Sequence, residues 1–239
     1  MTLPPVNRVV SLVPSITEAL ASVQPEAVVG ATDWCTHPAD LDLHGVTRVR
    51  GTKNPDLAAI RALKPDLVIA NKEENRELDV RRLRDSGVRV HVTDIETVSE
   101  AIETYQHLFD DILGWPRPGW LAQAESLWCG PVPPATRRVA VAIWRDPWMV
   151  VGSRTFTGDL LRRLGWENVY SDDESRYPRV ELSNLDTAGA DAILLPDEPY
   201  VFTPDDGPEA FTTTPTELVN GRLLTWYGPS LVEARAALG

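Results

Sequence analysis

Between Arg8 and Asp94 short apolar runs alternate with capped helical segments, and this alternation limits the possible folds more than any other feature of the chain. The runs are "RVVSLVP" from Arg8, "AVVGATD" from Ala27, "DLVIA" from Asp66 and "VRVHVTD" from Val88. They are rich in β-branched residues and mostly lack polar alternation, as expected of strands buried on both faces. The intervening segments carry helix-start signals. In "PSITEAL" Ser15 is the expected N-cap, with Glu18 closing a capping box. In "NPDLAAIRAL" Asn54 is the expected cap, with Pro55 at the first helical position, where a missing N–H costs nothing. A third helix is expected from about Asn75 to Asp85, ending at Gly87. Strand and helix in turn predict a mostly parallel sheet with helices on its faces.

The pattern changes at Thr97. "TVSEAIETYQHLFDDIL" places Val98, Ile102, Tyr105, Leu108, Phe109 and Ile112 at helical spacing. "GWPRPG" interrupts it, "WLAQAESLW" forms a shorter helix, and "GPVPPATRR" reads as linker. Alternation then resumes with the strand-like "RVAVAIW", "PWMVVG", "AILLPDE" and "RLLTWYG", a helix in "FTGDLLRRLG" and a last helix from about Ser230. The expected organisation is α/β, with an N-terminal lobe over 1–96, a helical linker over 97–135 and a C-terminal lobe over 136–239. "PDLVIANKEE" and "ADAILLPDEP" resemble each other, both being apolar strands that run out into acids, and this favours two symmetric lobes over a single sheet.

With 239 residues and 43% hydrophobic content the chain has enough material for a core in each lobe. Its formal net charge of −12 repels phosphate backbones and anionic membrane surfaces. The densest basic cluster, Arg76 to Arg84, is broken by acids, so neither nucleic acid nor membrane is an expected partner. No run has the length of a membrane span. "MTLPPVNRVV" lacks the basic start and long apolar core of a secretory signal, so a cytoplasmic protein with free thiols at Cys35 and Cys129 is expected.

In open parallel sheets ligands sit beyond the carboxyl ends of the strands. The residues there are Trp34, Cys35 and His37; Lys72, Glu73 and Glu74; Trp144 and Arg145; Asp197, Glu198 and Tyr200; and Trp226 and Tyr227. Rings and acids in such positions suit a flat, partly apolar ligand held by stacking and area burial. The alternative is structural: such rings plug the edges of cores, and Glu73 and Glu74 are a solvated first helical turn favoured by the macrodipole. His37 and Cys35 with an acid are acceptable divalent-metal ligands, although no HxxxH, HExxH or CxxC pattern accompanies them. GxSxG, GxxxxGK[ST] and GxGxxG signatures are absent as well, so no motif argues for an enzyme.

"RVVSLVPSITEAL", "VVGATDWCTHP", "GTKNPDLAAIRALKPDLVIANKEEN" and "GDLLRRLGWENVY" resemble the helical-backbone (class III) substrate-binding proteins, which include cobalamin, siderophore, haem and metal receptors. The resemblance spans nearly the whole chain and is strongest over 8–94. It implies two Rossmann-like lobes with mostly parallel sheets joined by an interlobe helix, and a small cofactor-like ligand, such as a corrinoid, haem or other tetrapyrrole or a metal chelate, bound between them without catalysis. Alternatives are direct divalent-metal binding and an enzyme acting on a tetrapyrrole or metal chelate. Carried over by position, the ligand site comprises Pro14, Ser15, Trp34, Thr52, Lys53, Lys72, Glu73, Glu74, Trp144, Tyr177, Trp226 and Tyr227. The tryptophan that packs on the corrin in cobalamin binders falls at Thr52. The acids that dock on a transporter fall at Ala58 and Arg162, so transporter docking is not expected.

Overall fold

The computed structural model describes residues 6–239 and divides the chain into two compact units. The first takes Met1–Ile95, Glu100–Glu125 and Tyr227–Pro229; the second takes Glu96–Ser99, Ser126–Trp226 and Ser230–Gly239.

The first unit follows the expected alternation: β1 Val9–Ser11, α1 Pro14–Ala21, β2 Val28–Ala31 and β3 Thr47–Arg48. A tight antiparallel pair, β4 Arg50–Gly51 and β5 Asn54–Pro55, precedes α2 Leu57–Ala62, β6 Leu67–Asn71, α3 Glu77–Asp85 and β7 Val90–Thr93. The sheet order is β3-β2-β1-β6-β7, and every pairing within it is parallel. All five residues of β6 are buried, which explains why "LVIA" carries no alternation: as the neighbour of β1 it is covered on both faces. Val10, Leu12, Ile60, Val68, Val80 and Leu83 form the core on one side of this sheet.

Two helix starts differ from expectation. The residue before α1 is Val13, extended and without a side-chain cap, and Pro14 occupies the first turn, so Ser15 lies inside the helix. α2 is capped by Asp56, whose Oδ1 accepts from the N–H groups of Ala58 and Ala59 at 3.0 Å each. Asn54 and Pro55 are held in the β4–β5 pair, which leaves the cap to the next polar residue along.

α4 Val98–His107 continues as a π-helical turn over Leu108–Leu113, ends at left-handed Gly114, and is followed by α5 Gly119–Trp128. Tyr105 meets Trp120 edge-on with centroids 5.2 Å apart, and the Trp115 indole donates to the Val6 carbonyl at 2.9 Å. The second unit then contains β8 Arg137–Trp144, β9 Met149–Val150, α6 Phe156–Arg163, β10 Trp166–Asn168, α7 Leu182–Leu185, β11 Ala192–Pro196, β12 Thr216–Val219, α8 Gly221–Thr225 and α9 Ser230–Leu238. Its sheet runs β10-β8-β11-β12 in parallel, with β9 antiparallel against β8. The expected strand in "RLLTWYG" is instead the helix α8, and the strand paired with β11 is the preceding "TELV". α8 begins where Asp197, just past β11, accepts the Gly221 N–H at 2.7 Å. Among the described residues no helix is long and apolar enough to cross a membrane.

Candidate functional site

A parallel sheet whose winding reverses leaves a crevice at the reversal, where no crossover helix covers the strand ends. In the first unit the reversal falls between β1 and β6, in the second between β8 and β11. The segments that leave these strands are Leu12–Ser15 and Lys72–Asn75 in the first unit, and Arg145 and Asp197–Tyr200 in the second.

Two buried asparagines build the first crevice. Asn71 Oδ1 accepts from the N–H groups of Glu73 at 2.8 Å and Glu74 at 3.2 Å, and Asn75 Oδ1 accepts from the Asn71 N–H at 2.8 Å. Asn75 Nδ2 donates to the carbonyls of Leu12 at 3.2 Å and Thr52 at 3.0 Å. One side-chain amide thus joins the exits of β1 and β6 to the tip of the β4–β5 pair. Lys53 reaches the same loop through the Glu73 carbonyl, and Lys72 pairs with Asp94. The Trp34 indole lies over Gly51, where an added Cβ would come within 3.4 Å of Nε1.

Tyr227 is buried and its hydroxyl donates to Glu74 Oε1 at 2.9 Å. Gly228 permits this approach, because a Cβ there would stand 3.0 Å from the Ser15 carbonyl. The same carbonyl accepts from the Tyr105 hydroxyl at 3.3 Å. Burial first, then the nearby carboxylates, Glu18 for Tyr105 and Glu74 for Tyr227, push both phenols well above their ordinary range, so both remain neutral donors. The first unit therefore gathers Pro14, Ser15, Thr52, Lys53, Lys72, Glu73, Glu74 and Tyr227 around one loop, with Trp34 on the adjacent pair.

In the second unit Trp144 meets Tyr200 edge-on at 5.5 Å. The Tyr200 hydroxyl donates to Asp206 at 2.6 Å, and Arg145 pairs with Asp206 and Glu209 while lying over the Trp148 ring. Trp226 is buried beneath the Arg222 guanidinium, so its ring is part of the interior. Burial also raises the Glu198 carboxyl above the usual range, opposed by the hydrogen bond from Thr225. Tyr177 is half-buried on the loop that leads to Arg179, which bridges Met149 of β9.

The proposed metal pair does not come together as a ligand set. Cys35 is fully buried with its Sγ against the hydroxyls of Thr17 and Thr32, and burial pushes the thiol up, away from the thiolate a metal needs. The His37 ring bonds Thr36. Among the described residues no group of three or more His, Cys, Asp and Glu side chains could hold a metal ion.

No protein-family model matches the chain. The vitamin B12-binding protein of Salmonella typhimurium is 27% identical over 197 residues, covering 79% of this chain and 71% of that protein. Among solved structures, the periplasmic vitamin B12-binding protein BtuF of Vibrio cholerae matches with TM-score 0.77 at 18% identity over 98% of this chain and 95% of that one. The periplasmic heme-binding protein RhuT of Roseiflexus matches with TM-score 0.78 at 20% identity over 97% of each chain. The chain is thus similar in sequence to vitamin B12-binding proteins and shares the two-lobed α/β fold of periplasmic B12- and heme-binding proteins. At the two positions where the resemblance places transporter-docking acids, Ala58 is exposed on α2, and Arg162 is exposed on α6 with its guanidinium on Asp159. The class resemblance also passes over Asn71, Asn75 and Tyr105. Two asparagines four residues apart around a polar turn were the available signal, since Asn side chains accept from N–H groups two residues on.

Proposed function

We propose that the chain is a non-catalytic binding protein that holds a corrinoid or tetrapyrrole, or a metal chelate of similar size, on the strand-end residues of its sheets. The observation that carries this reading is the distribution of indoles. Of the eight tryptophans only Trp34 and Trp144 are exposed, at 66% and 44%, and both stand at carboxyl ends of parallel strands. Exposed rings at strand ends, Trp34 in the unit that carries Lys53, Lys72, Glu73 and Glu74 and Trp144 beside Tyr200 in the other, match a flat ligand with an apolar face and polar substituents. Relatives named for vitamin B12 and heme binding support the same ligand class. Uncoupling from a membrane permease belongs to this reading, because Ala58 and Arg162 replace the acids expected there, and a cytoplasmic location goes with it. Fractionation of cells making the protein from its native locus tests the location.

Titration with cobalamin, cobinamide, haem and common siderophores, followed by tryptophan fluorescence, tests the ligand. Saturable quenching by at least one corrinoid or tetrapyrrole is expected, with Trp34→Ala and Trp144→Ala each weakening binding about tenfold, or about 1.4 kcal/mol. Silence to all four, or binding indifferent to both indoles, overturns the reading.

A further inference from the structure

Beside the edge strand β10 the second unit contains a cavity of about 460 Å³, lined by α6, β10, the loop Gly152–Thr155 and Glu96 and Thr97. That volume lies within the roughly 300–1,000 Å³ of ordinary small-molecule sites. The Trp166 indole, Pro133 and Ala135 supply apolar wall, and Arg137 already lies over the Trp166 ring at 4.7 Å.

The pairing of charges in the wall leaves one cation distinct. Its three acids are all engaged: Glu96 with Arg176, Glu167 with Arg138, and Asp159 with both Arg162 and Arg163. Asp159 also accepts the Val98 N–H at 2.9 Å. Arg154 is the remaining cation of the lining; it donates to the Glu174 carbonyl at 3.2 Å and has no carboxylate partner among the described residues. The wall itself therefore holds two guanidinia, Arg154 and Arg162, and three carboxylates, each carboxylate neutralised in an ion pair, which leaves Arg154 as the lining cation without a carboxylate. Asp172, Asp173 and Glu174 follow Ser171 at the rim, and none of them lines the cavity. Arg154 further sits at φ +50°, a left-handed conformation uncommon for a residue with a Cβ, immediately before the α6 cap Thr155.

We infer that this cavity is a second binding site, separate from the strand-end crevices, for a small organic anion with a flat apolar body. Arg154 is the principal recognition group, its planar fork matching a carboxylate or phosphate, and Trp166 supplies the apolar wall. With the wall carboxylates all held in ion pairs, Arg154 makes the site selective for anions within a chain whose overall field repels them.

Benzoate, phenyl phosphate and the neutral benzyl alcohol are the probes, titrated into the full chain by calorimetry. Saturable binding of at least one anion, at least tenfold tighter than benzyl alcohol, is expected. Arg154→Asn, chosen because Asn tolerates the left-handed region, weakens the anion at least tenfold. Arg154→Lys retains part of the affinity. Arg162→Gln leaves Asp159 paired with Arg163 and weakens the anion several-fold. Should Arg154→Asn fail to fold, Arg162→Gln decides alone. No saturable anion binding, equal binding of benzyl alcohol, or unchanged affinity in the folded variants overturns the inference. The cobalamin and haem titrations of the same variants stay at wild-type values, so this site and the strand-end reading stand or fall separately.

Discussion

Asn75 illustrates how much of the first crevice rests on one side chain. It accepts the Asn71 N–H and donates to two carbonyls from separate segments, all three groups being largely removed from water. Truncation to alanine leaves a donor and two acceptors without partners, and a buried unsatisfied polar group costs about 1–3 kcal/mol. Asn75→Ala should therefore lower stability by about 2 kcal/mol or more in urea unfolding, and should speed hydrogen exchange at the Glu73 and Glu74 amides that the loop holds. Unchanged exchange at those amides would show that the loop stands without its crosslink. The cysteines separate in the same residue-by-residue manner. Cys35 is buried with a raised thiol pKa, whereas Cys129 is exposed. A thiol reagent at neutral pH should titrate one cysteine in the native protein and both in denaturant, because the thiolate is the reacting species and must be reached. Rapid reaction of both thiols in the native state would contradict the burial of Cys35.

Elements report how far pattern alone carries. The Thr155 hydroxyl caps α6 by accepting the Gly158 N–H at 3.1 Å, so Thr155→Ala should cost about 1 kcal/mol, visible as a lower urea midpoint at unchanged slope. The central strands β1, β6, β8 and β11 were legible because burial on both faces writes itself as an uninterrupted apolar run. β12 was not, because it is an edge strand with exposed Glu217 and Leu218 and lacks such a run. The neighbouring "RLLT" has the apolar content of a strand, yet Asp197 from β11 takes its first N–H and turns it into α8. A contact that is distant in sequence decided the element, and no local propensity records it. The crevice residues were legible through the strand-end rule, which needs only the strand order. What the rule could not tell is which rings face outward: Trp226 and Tyr227 follow the same apolar segment and are interior, whereas Trp34 and Trp144 are exposed.

For the molecule as a whole, acid is the condition that separates its electrostatic supports. Asp186 accepts backbone N–H groups from Thr214, Thr212 and Thr213, which hold its carboxyl at about 2. Asp159 is lowered as well: burial works against its ionisation and is outweighed by Arg163, the Val98 N–H and Arg162. A carboxyl whose folded pKa lies below its unfolded value near about 3.9 contributes stability that is complete above that value and disappears as pH falls through the folded one. Glu198 has the opposite sign. Its raised carboxyl favours the protonated folded state, so its contribution is present at low pH and declines as pH rises past the ordinary carboxylate range. Asp159, Asp186 and Glu198 all lie in the second unit. In the first, the lowered Asp110 is bound by Arg117 at the surface, where salt screens the pair. Stability measured from about pH 5 to about pH 2 should therefore fall with a slope that persists in high salt, and Asp186→Asn should flatten that slope while lowering stability at neutral pH. Glu198→Gln should leave the acid limb intact and raise stability at pH 7 relative to pH 5, since it removes a buried charge. An acid limb abolished by salt, or unaltered in Asp186→Asn, would assign the sensitivity to general surface charge, as expected of a chain that carries −12, and would remove the Thr212–Thr214 cradle from the account of how the second unit is held.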